Sequence, residues 1–135
     1  MFGVKLNYDI QVLGMVNTDI SIQERTKIFA IRVIKAYAEL NKRNFDDAGK
    51  ILAKQFLRSG TSIGANAAEA EFAQSKADFI NKYSIALKEA TETRYWIDIM
   101  IESGIIKEEK FSLMLDEVNR IIRILISIIK KLKEN

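Results

Sequence analysis

The sequence contains no proline, no cysteine and no histidine among its 135 residues. Without cysteine the chain has no disulfide, no thiolate nucleophile and no cysteine-bound zinc or iron–sulfur site. Without histidine it has no imidazole base, no Ser–His triad and no histidine-bound haem or zinc. Without proline, nothing in the chain forbids long uninterrupted helices. These absences exclude many classes of enzyme, and we expect no enzymatic activity, no cofactor and no metal.

The residues that are present have the composition of a soluble globular domain. Hydrophobic residues make up 48% of the chain and charged residues 29%, which is typical of a folded protein. The length fits one domain. The chain has no apolar run of the length that a membrane helix needs and no apolar signal region near residue 1. We therefore expect a cytoplasmic protein without a membrane partner.

The net charge of +3 is unevenly distributed along the chain. Residues 20–58 carry nine Lys or Arg against four Asp or Glu, whereas residues 69–117 carry six against eleven. Residues 119–135 are basic again, with five against one. The basic segments permit an acidic partner such as RNA without requiring one.

The first nineteen residues differ from the rest of the chain. Apolar and polar residues alternate over residues 2–12, which is the pattern of a half-buried strand. No second such strand follows, so a lone strand needs a partner chain or a helical groove. Two interpretations remain: residues 1–19 are an extended tail, with Met15 as an alternative start, or they form a strand that pairs between subunits.

From residue 20 onward the hydrophobic period becomes that of an α-helix. Ser21 and Glu24 form a capping box that predicts the start of the first helix. The turn is expected at residues 41–44. The predicted apolar face of this helix consists of Ile22, Phe29, Val33, Tyr37 and Leu40.

The second helix is predicted to begin near Asp46 and Asp47, whose charges suit a helix N-terminus. We interpret residues 59–64 as helix despite their loop-like composition, because the apolar face keeps its phase across them. Gly60, Gly64 and Ala68 then form a stripe of small residues that permits close approach of another helix. The predicted apolar face consists of Ala48, Ile51, Leu52, Phe56, Ile63, Ala67 and Ala70.

Two further helices are predicted, one from a cap at Ser75 to residues 103–104 and one over residues 107–133. The apolar face of the third helix consists of Phe79, Tyr83, Ala86, Leu87, Ala90, Ile97 and Ile101. The fourth has three apolar columns, formed by Phe111, Val118, Leu125 and Leu132, by Met114, Ile121 and Ile128, and by Leu115, Ile122 and Ile129. So wide a stripe predicts a subunit interface, because monomers rarely expose large apolar patches.

Four helices with short connections predict an all-α fold, an antiparallel up-down-up-down four-helix bundle. The bundle domain is expected to span residues 20–135 and to follow the short extended N-terminal tail of residues 1–19.

Several short motifs resemble those of the 23S rRNA intervening-sequence protein family, also called four-helix bundle proteins. They are QFLRSGTSIGAN at residues 55–66, AEA at 68–70, SKADF at 75–79, KEA at 88–90, Glu92, and RYW at 94–96. As a set these motifs are specific, and the likeness covers residues 20–132. Residues 1–14 lie outside the family pattern.

The resemblance implies a four-helix bundle that assembles into a ring-like homopentamer. It also implies an association with insertions in bacterial 23S rRNA genes. A relation to accessory proteins of retroelements implies RNA and a reverse transcriptase as partners.

Basic residues on the first two helices form the candidate nucleic-acid site. Lys50, Lys54 and Arg58 follow each other at intervals of four on the second helix. If the two helices are neighbours, their cations form one surface that neutralises phosphates. No aromatic residue interleaves with them, so backbone contact without base stacking is expected. An ordinary solvated face is the alternative. The candidates on the first helix, expected on its outer face, are Arg25, Arg32, Lys35 and Lys42.

Acidic residues on the third helix have two interpretations. Asp78, Glu89 and Glu92 lie close to one line of the helix, and paired carboxylates are able to bind a metal or to act as acid and base. Di-metal bundles use Glu-x-x-His, however, and the chain has no histidine. An interhelical ion-pair network with Arg58 or Arg94 is the favoured interpretation.

The sequence thus predicts a non-enzymatic, oligomeric, RNA-associated accessory protein that contacts the RNA backbone through a basic helix face. The alternative is a ring-shaped scaffold that binds a protein, for example a reverse transcriptase, and has no direct role with RNA. Steep salt dependence would distinguish RNA binding from an apolar scaffold contact.

Overall fold

A computed structural model describes residues 20–134, which form four α-helices and no β-strand. The helices are α1 (Ile22–Asn41), α2 (Asp47–Ala70), α3 (Lys76–Glu102) and α4 (Glu108–Glu134). The four predicted helices are confirmed, including the passage of α2 through residues 59–64 without a break. The predicted tail lies outside the described residues.

Polar caps fix where three of the helices begin. The Ser21 hydroxyl accepts a hydrogen bond from the Glu24 N–H, and the Asp46 carboxylate accepts one from the Gly49 N–H. At α3 the Ser75 hydroxyl accepts from the Asp78 N–H, while the Asp78 carboxylate accepts from the Gln74 N–H. Each cap supplies a partner to N–H groups that the helix itself leaves unbonded.

The end of α3 is a glycine-dependent turn that sets up the path into α4. Gly104 has a φ of 81°, a left-handed conformation that glycine adopts without a Cβ penalty. The Gly104 N–H donates to the Ile101 carbonyl and the Ile105 N–H donates to the Met100 carbonyl. These two bonds form a Schellman motif, after which Ile106 is buried in the core.

The four helices close around one apolar core. Each helix packs against the next one in the chain, and α1 also contacts α4. The largest fully buried side chains come from all four helices. They include Phe29, Val33, Phe56, Ile63, Ile97, Met100, Val118, Ile121 and Leu125.

Two glycines let α1 and α2 approach closely, as their spacing predicted. A Cβ built on Gly60 would lie 2.8 Å from both γ-carbons of Val33. A Cβ on Gly64 would lie 3.1 Å from the backbone oxygen of Thr26. Both distances are shorter than ordinary van der Waals contact, so neither site has room for a side chain.

The predicted apolar face of α2 is wrong at two positions. Ala48 is exposed, and Ile51 is 58% exposed. The buried positions of α2 are set by Phe56 and Ile63 and recur at intervals of three or four residues. Ile51 falls two residues out of that phase, on the opposite side of the helix, and Gly49 and Ala53 occupy the core positions instead.

Most of the wide apolar stripe of α4 is covered within the subunit, which removes the reason for predicting a subunit interface from its width. Phe111, Val118 and Leu125 are buried, as are Met114, Ile121, Ile122 and Ile129. Because α4 packs against α3 on one flank and α1 on the other, two neighbours share this surface. The width of the stripe therefore does not require a partner subunit.

The glycine contacts give a test of the packing. We expect Gly60→Ala to lower the free energy of unfolding by about 1–3 kcal/mol, because the new methyl group overpacks a dense core. Alanine in an ordinary helix position would instead stabilise by about 1 kcal/mol. Urea unfolding followed by circular dichroism measures the difference.

A double variant separates crowding from other effects of the same substitution. In Gly60→Ala/Val33→Ala the crowded methyl groups of Val33 are gone, so the combined loss should be smaller than the sum of the two single losses. Simple additivity would contradict crowding between Gly60 and Val33.

Candidate nucleic-acid interface

The structure divides the seven predicted cations into buried and exposed groups. Arg25 is 2% exposed and Arg32 is 5% exposed, so their predicted place on the outer face of α1 is wrong. Both lie at helical spacing from Phe29, on the stripe that faces the core. Lys35 is half-buried, and the remaining four, Lys42, Lys50, Lys54 and Arg58, are exposed.

Arg25 forms a buried ion pair with Glu117 of α4. Its Nη1 donates to both carboxylate oxygens of Glu117, at 3.0 and 3.1 Å. The side chains are only 3% and 4% exposed. An arginine held in this way is shielded from solvent and is not accessible to a phosphate group.

Burial raises the pKa of Glu117 above its ordinary value of 4.5, although the charges of Arg25, Arg120 and Arg32 oppose the shift. Desolvation of the carboxylate is the largest cause. One acid of α4 thus lies among three arginines from two helices. The sequence contains one signal for it: Glu117 precedes Val118 and follows Met114 by three, within the apolar face of α4. A charge on such a face predicts a buried partner.

A cleft of about 780 Å³ opens between the second half of α1 and the start of α4. Arg32 and Lys35 line it from α1 and Lys42 from the residue after α1, together with residues of the α3–α4 connection. The cleft therefore brings three predicted cations together, and one of them, Arg32, lies on the core-facing side of α1. Lys42 already forms an ion pair with Glu39 at 3.0 Å.

Arg58 lies on the other side of α2 and is engaged by α3. Its Nη1 donates to Glu89 at 3.2 Å, and its Nη2 donates to Glu92. The hydrogen bond to Glu92 is the main cause that raises the pKa of the guanidinium. The predicted ion-pair network between α2 and α3 is thus confirmed. Beneath it, the Thr93 hydroxyl donates to the Ser59 hydroxyl at 2.8 Å in the buried interior.

Lys50 and Lys54 remain exposed to solvent. Within residues 20–134 neither ammonium group forms an ion pair or a hydrogen bond. Neither lysine lines the cleft between α1 and α4. The seven candidates therefore do not form one continuous surface, because the α1 set faces α4 whereas Arg58 faces α3.

Two other kinds of site are absent from the same part of the chain. Among residues 20–134 no group of three or more acidic side chains is arranged to hold a metal ion. In that range no helix combines the length and apolarity that crossing a membrane requires.

Comparisons with known proteins agree with the family resemblance. The family model described as 23S rRNA-intervening sequence protein matches residues 18–127. Among solved structures, a chain from Bacteroides thetaiotaomicron VPI-5482 is described as a protein with unknown function from the S23 ribosomal protein family. It is 45% identical, with a TM-score of 0.75, and the match covers 82% of this chain and 99% of that one. A search of curated proteins finds no match.

The environment of Glu117 gives a pH-dependent prediction. Because its folded pKa is raised, the carboxyl group contributes most stability below the unfolded value of 4.5. That contribution is lost as the pH rises through the folded pKa. We expect the unfolding free energy of the wild type, relative to Glu117→Gln, to fall by up to about 1.4 kcal/mol per pH unit in this window.

Parallel urea titrations of both proteins between acidic and neutral pH measure this difference. A relative stability that rises with pH would mean that Arg25 lowers the pKa of Glu117 in the folded state, which contradicts the expected dominance of desolvation.

Proposed function

The chain belongs to the 23S rRNA-intervening sequence protein family, and we propose on this basis that it is a non-enzymatic, RNA-associated accessory protein. The observation that carries the proposal is the pair Lys50 and Lys54, two exposed ammonium groups one helical turn apart. No carboxylate among the described residues neutralises either of them. A phosphate backbone is the natural counterion for such a surface.

The proposed contact is electrostatic. Lys50 and Lys54 form the RNA surface, whereas Lys35 and Lys42 line the cleft towards α4 and stand apart from it. Arg25 has no part in it because it is buried, and Arg58 is a structural cation because it holds Glu89 and Glu92. Phosphates are contacted without base readout, so affinity depends on salt more than on sequence.

Assembly into a homopentamer belongs to the same proposal. Ile31 and Ile34 support it, because they are exposed side chains three residues apart on one face of α1. Exposed apolar neighbours of this kind suit a subunit contact. Repetition of a weak basic surface around a ring raises the affinity for one long RNA through multivalency.

A second candidate function is a ring-shaped scaffold that binds a protein partner such as a reverse transcriptase. The observation that favours it is the set of large exposed apolar side chains outside α1. These are Ile51, Phe72, Tyr95, Leu113 and Ile126.

The antiparallel up-down-up-down order and a cytoplasmic location complete the proposal. Contacts between α1 and α2 support the order: Gln23 bonds to Ala67, Thr26 lies against Gly64, and Val33 lies against Gly60. Residue numbers rise along one helix as they fall along the other, which is the pattern of antiparallel neighbours.

Charge reversal tests the RNA surface. We expect Lys50→Glu/Lys54→Glu to weaken binding of a labelled single-stranded RNA about tenfold or more, because attraction becomes repulsion. The slope of log affinity against log salt should become shallower by about 0.7 for each phosphate that the variant no longer neutralises. Fluorescence anisotropy over a range of salt concentrations measures both quantities.

A matched control is Lys76→Glu/Lys88→Glu, which makes the same charge change at exposed positions of α3. It should retain most of the affinity. Equal losses in the two variants would attribute binding to net charge alone and overturn the assignment of the site to α2.

Light scattering after size exclusion tests the assembly. We expect a mass about five times the 15.4 kDa of one subunit and expect Ile34→Glu to lower it, because a charge at an apolar contact is costly. Phe72→Ser, which changes an exposed residue between α2 and α3, is the control and should leave the mass unchanged. A wild-type mass of one subunit would refute the ring.

A further inference from the structure

The cleft between α1 and α4 is bounded by a contact at each end. At one end the Arg25–Glu117 pair joins the two helices. At the other end Arg43 Nη1 donates to the Ile105 carbonyl at 2.8 Å, and its guanidinium lies 4.4 Å from the centre of the Phe45 ring. The volume of about 780 Å³ falls in the range of small-molecule sites.

The charge of the cleft is strongly positive. Six basic residues and two acidic ones line it. Glu39 is already paired with Lys42. Within residues 20–134 the ammonium groups of Lys35, Lys107 and Lys110 have no ion-pair or hydrogen-bond partner. These three, named here the cleft lysines, favour an anion.

The floor of the same cleft is apolar. It is formed by Ala36, Leu40, Ile105, Ile106, Phe111 and Met114, and Leu113 stands on its rim, 46% exposed. An inorganic anion would leave the apolar surface of Ile105 and Leu113 uncovered, and a neutral apolar molecule would leave the cleft lysines without a partner. Apolar walls with a few convergent charges are typical of sites for small organic ligands.

RNA fits the floor poorly. Base stacking needs an exposed aromatic face, but Phe111 is only 8% exposed and packs edge-on against Phe56, with ring centres 6.2 Å apart. A phosphodiester backbone has no group that would bury an apolar floor. The cleft therefore differs in chemistry from the surface around Lys50 and Lys54.

We propose that this cleft binds a small organic anion with an apolar body, such as an aryl or alkyl carboxylate, sulfonate or phosphate monoester. The cleft lysines hold the anionic group, and the apolar body packs on Ile105 and Leu113. The site is independent of the proposed RNA surface, since no residue of α2 lines it.

The test uses 8-anilinonaphthalene-1-sulfonate, a fluorescent probe that joins a sulfonate to an aromatic body. We expect saturable binding with one site per subunit. Two variants should each weaken it about tenfold or more. Lys35→Glu/Lys107→Glu reverses two of the positive charges, and Leu113→Glu places a negative charge on the rim. Leu113 and Lys107 are exposed enough that both proteins are expected to fold, which circular dichroism checks.

Control measurements decide each part of the proposal. Lys50→Glu/Lys54→Glu makes the same charge change outside the cleft. This variant should bind the probe with unchanged affinity and should lose affinity for RNA. Neutral N-phenyl-1-naphthylamine and inorganic phosphate should each bind at least about tenfold more weakly than the sulfonate. An equal loss of probe affinity in Lys35→Glu/Lys107→Glu and in Lys50→Glu/Lys54→Glu would overturn the site. Undiminished binding of the probe by Leu113→Glu would also overturn it. Equally tight binding of the neutral probe would overturn the requirement for an anion.

Discussion

The buried pair Arg25–Glu117 is the constraint on which the arrangement of the bundle depends. Consecutive helices are brought together by connections of a few residues, but α1 and α4 are joined by no such connection. Their seam holds two charges shielded from water. Burial raises the pKa of Glu117, and a buried ion pair is a weak source of net stability. The pair therefore contributes selectivity: a slip of α4 by one turn would leave both charges buried without each other.

The seam between α1 and α4 also contains the cleft. The α1–α4 seam is fixed at Arg25 and again at the hydrogen bond from Arg43 to Ile105. The cleft lies between these points, whereas the α1–α2 seam closes tightly because Gly60 and Gly64 carry no side chain. Small residues at the α1–α2 seam thus accompany close packing, and charged residues at the α1–α4 seam accompany an open cleft.

Local signals allowed the sequence to predict the helices, three of their starts and the glycine stripe. Those features depend on caps and on periodicity within one helix. The burial of Arg25 and Arg32 could not be inferred in the same way, because a long basic side chain on an apolar stripe is acceptable only if a distant acid meets it. That acid is 92 positions away from Arg25, in Glu117. The wide stripe of α4 was misjudged for a related reason, since its cover comes from both flanking helices.

Part of the positive charge of the subunit is already neutralised by its own carboxylates. Arg25 and Arg58 hold glutamates, and Lys42 holds Glu39. Of the predicted cations, Lys35, Lys50 and Lys54 keep an ammonium group without a partner among the described residues. The two exposed ones, Lys50 and Lys54, bind a polyanion weakly at physiological salt, since each contact is screened. Useful affinity for RNA then requires several copies of the surface on one assembly, so the proposed RNA role and the proposed ring depend on each other.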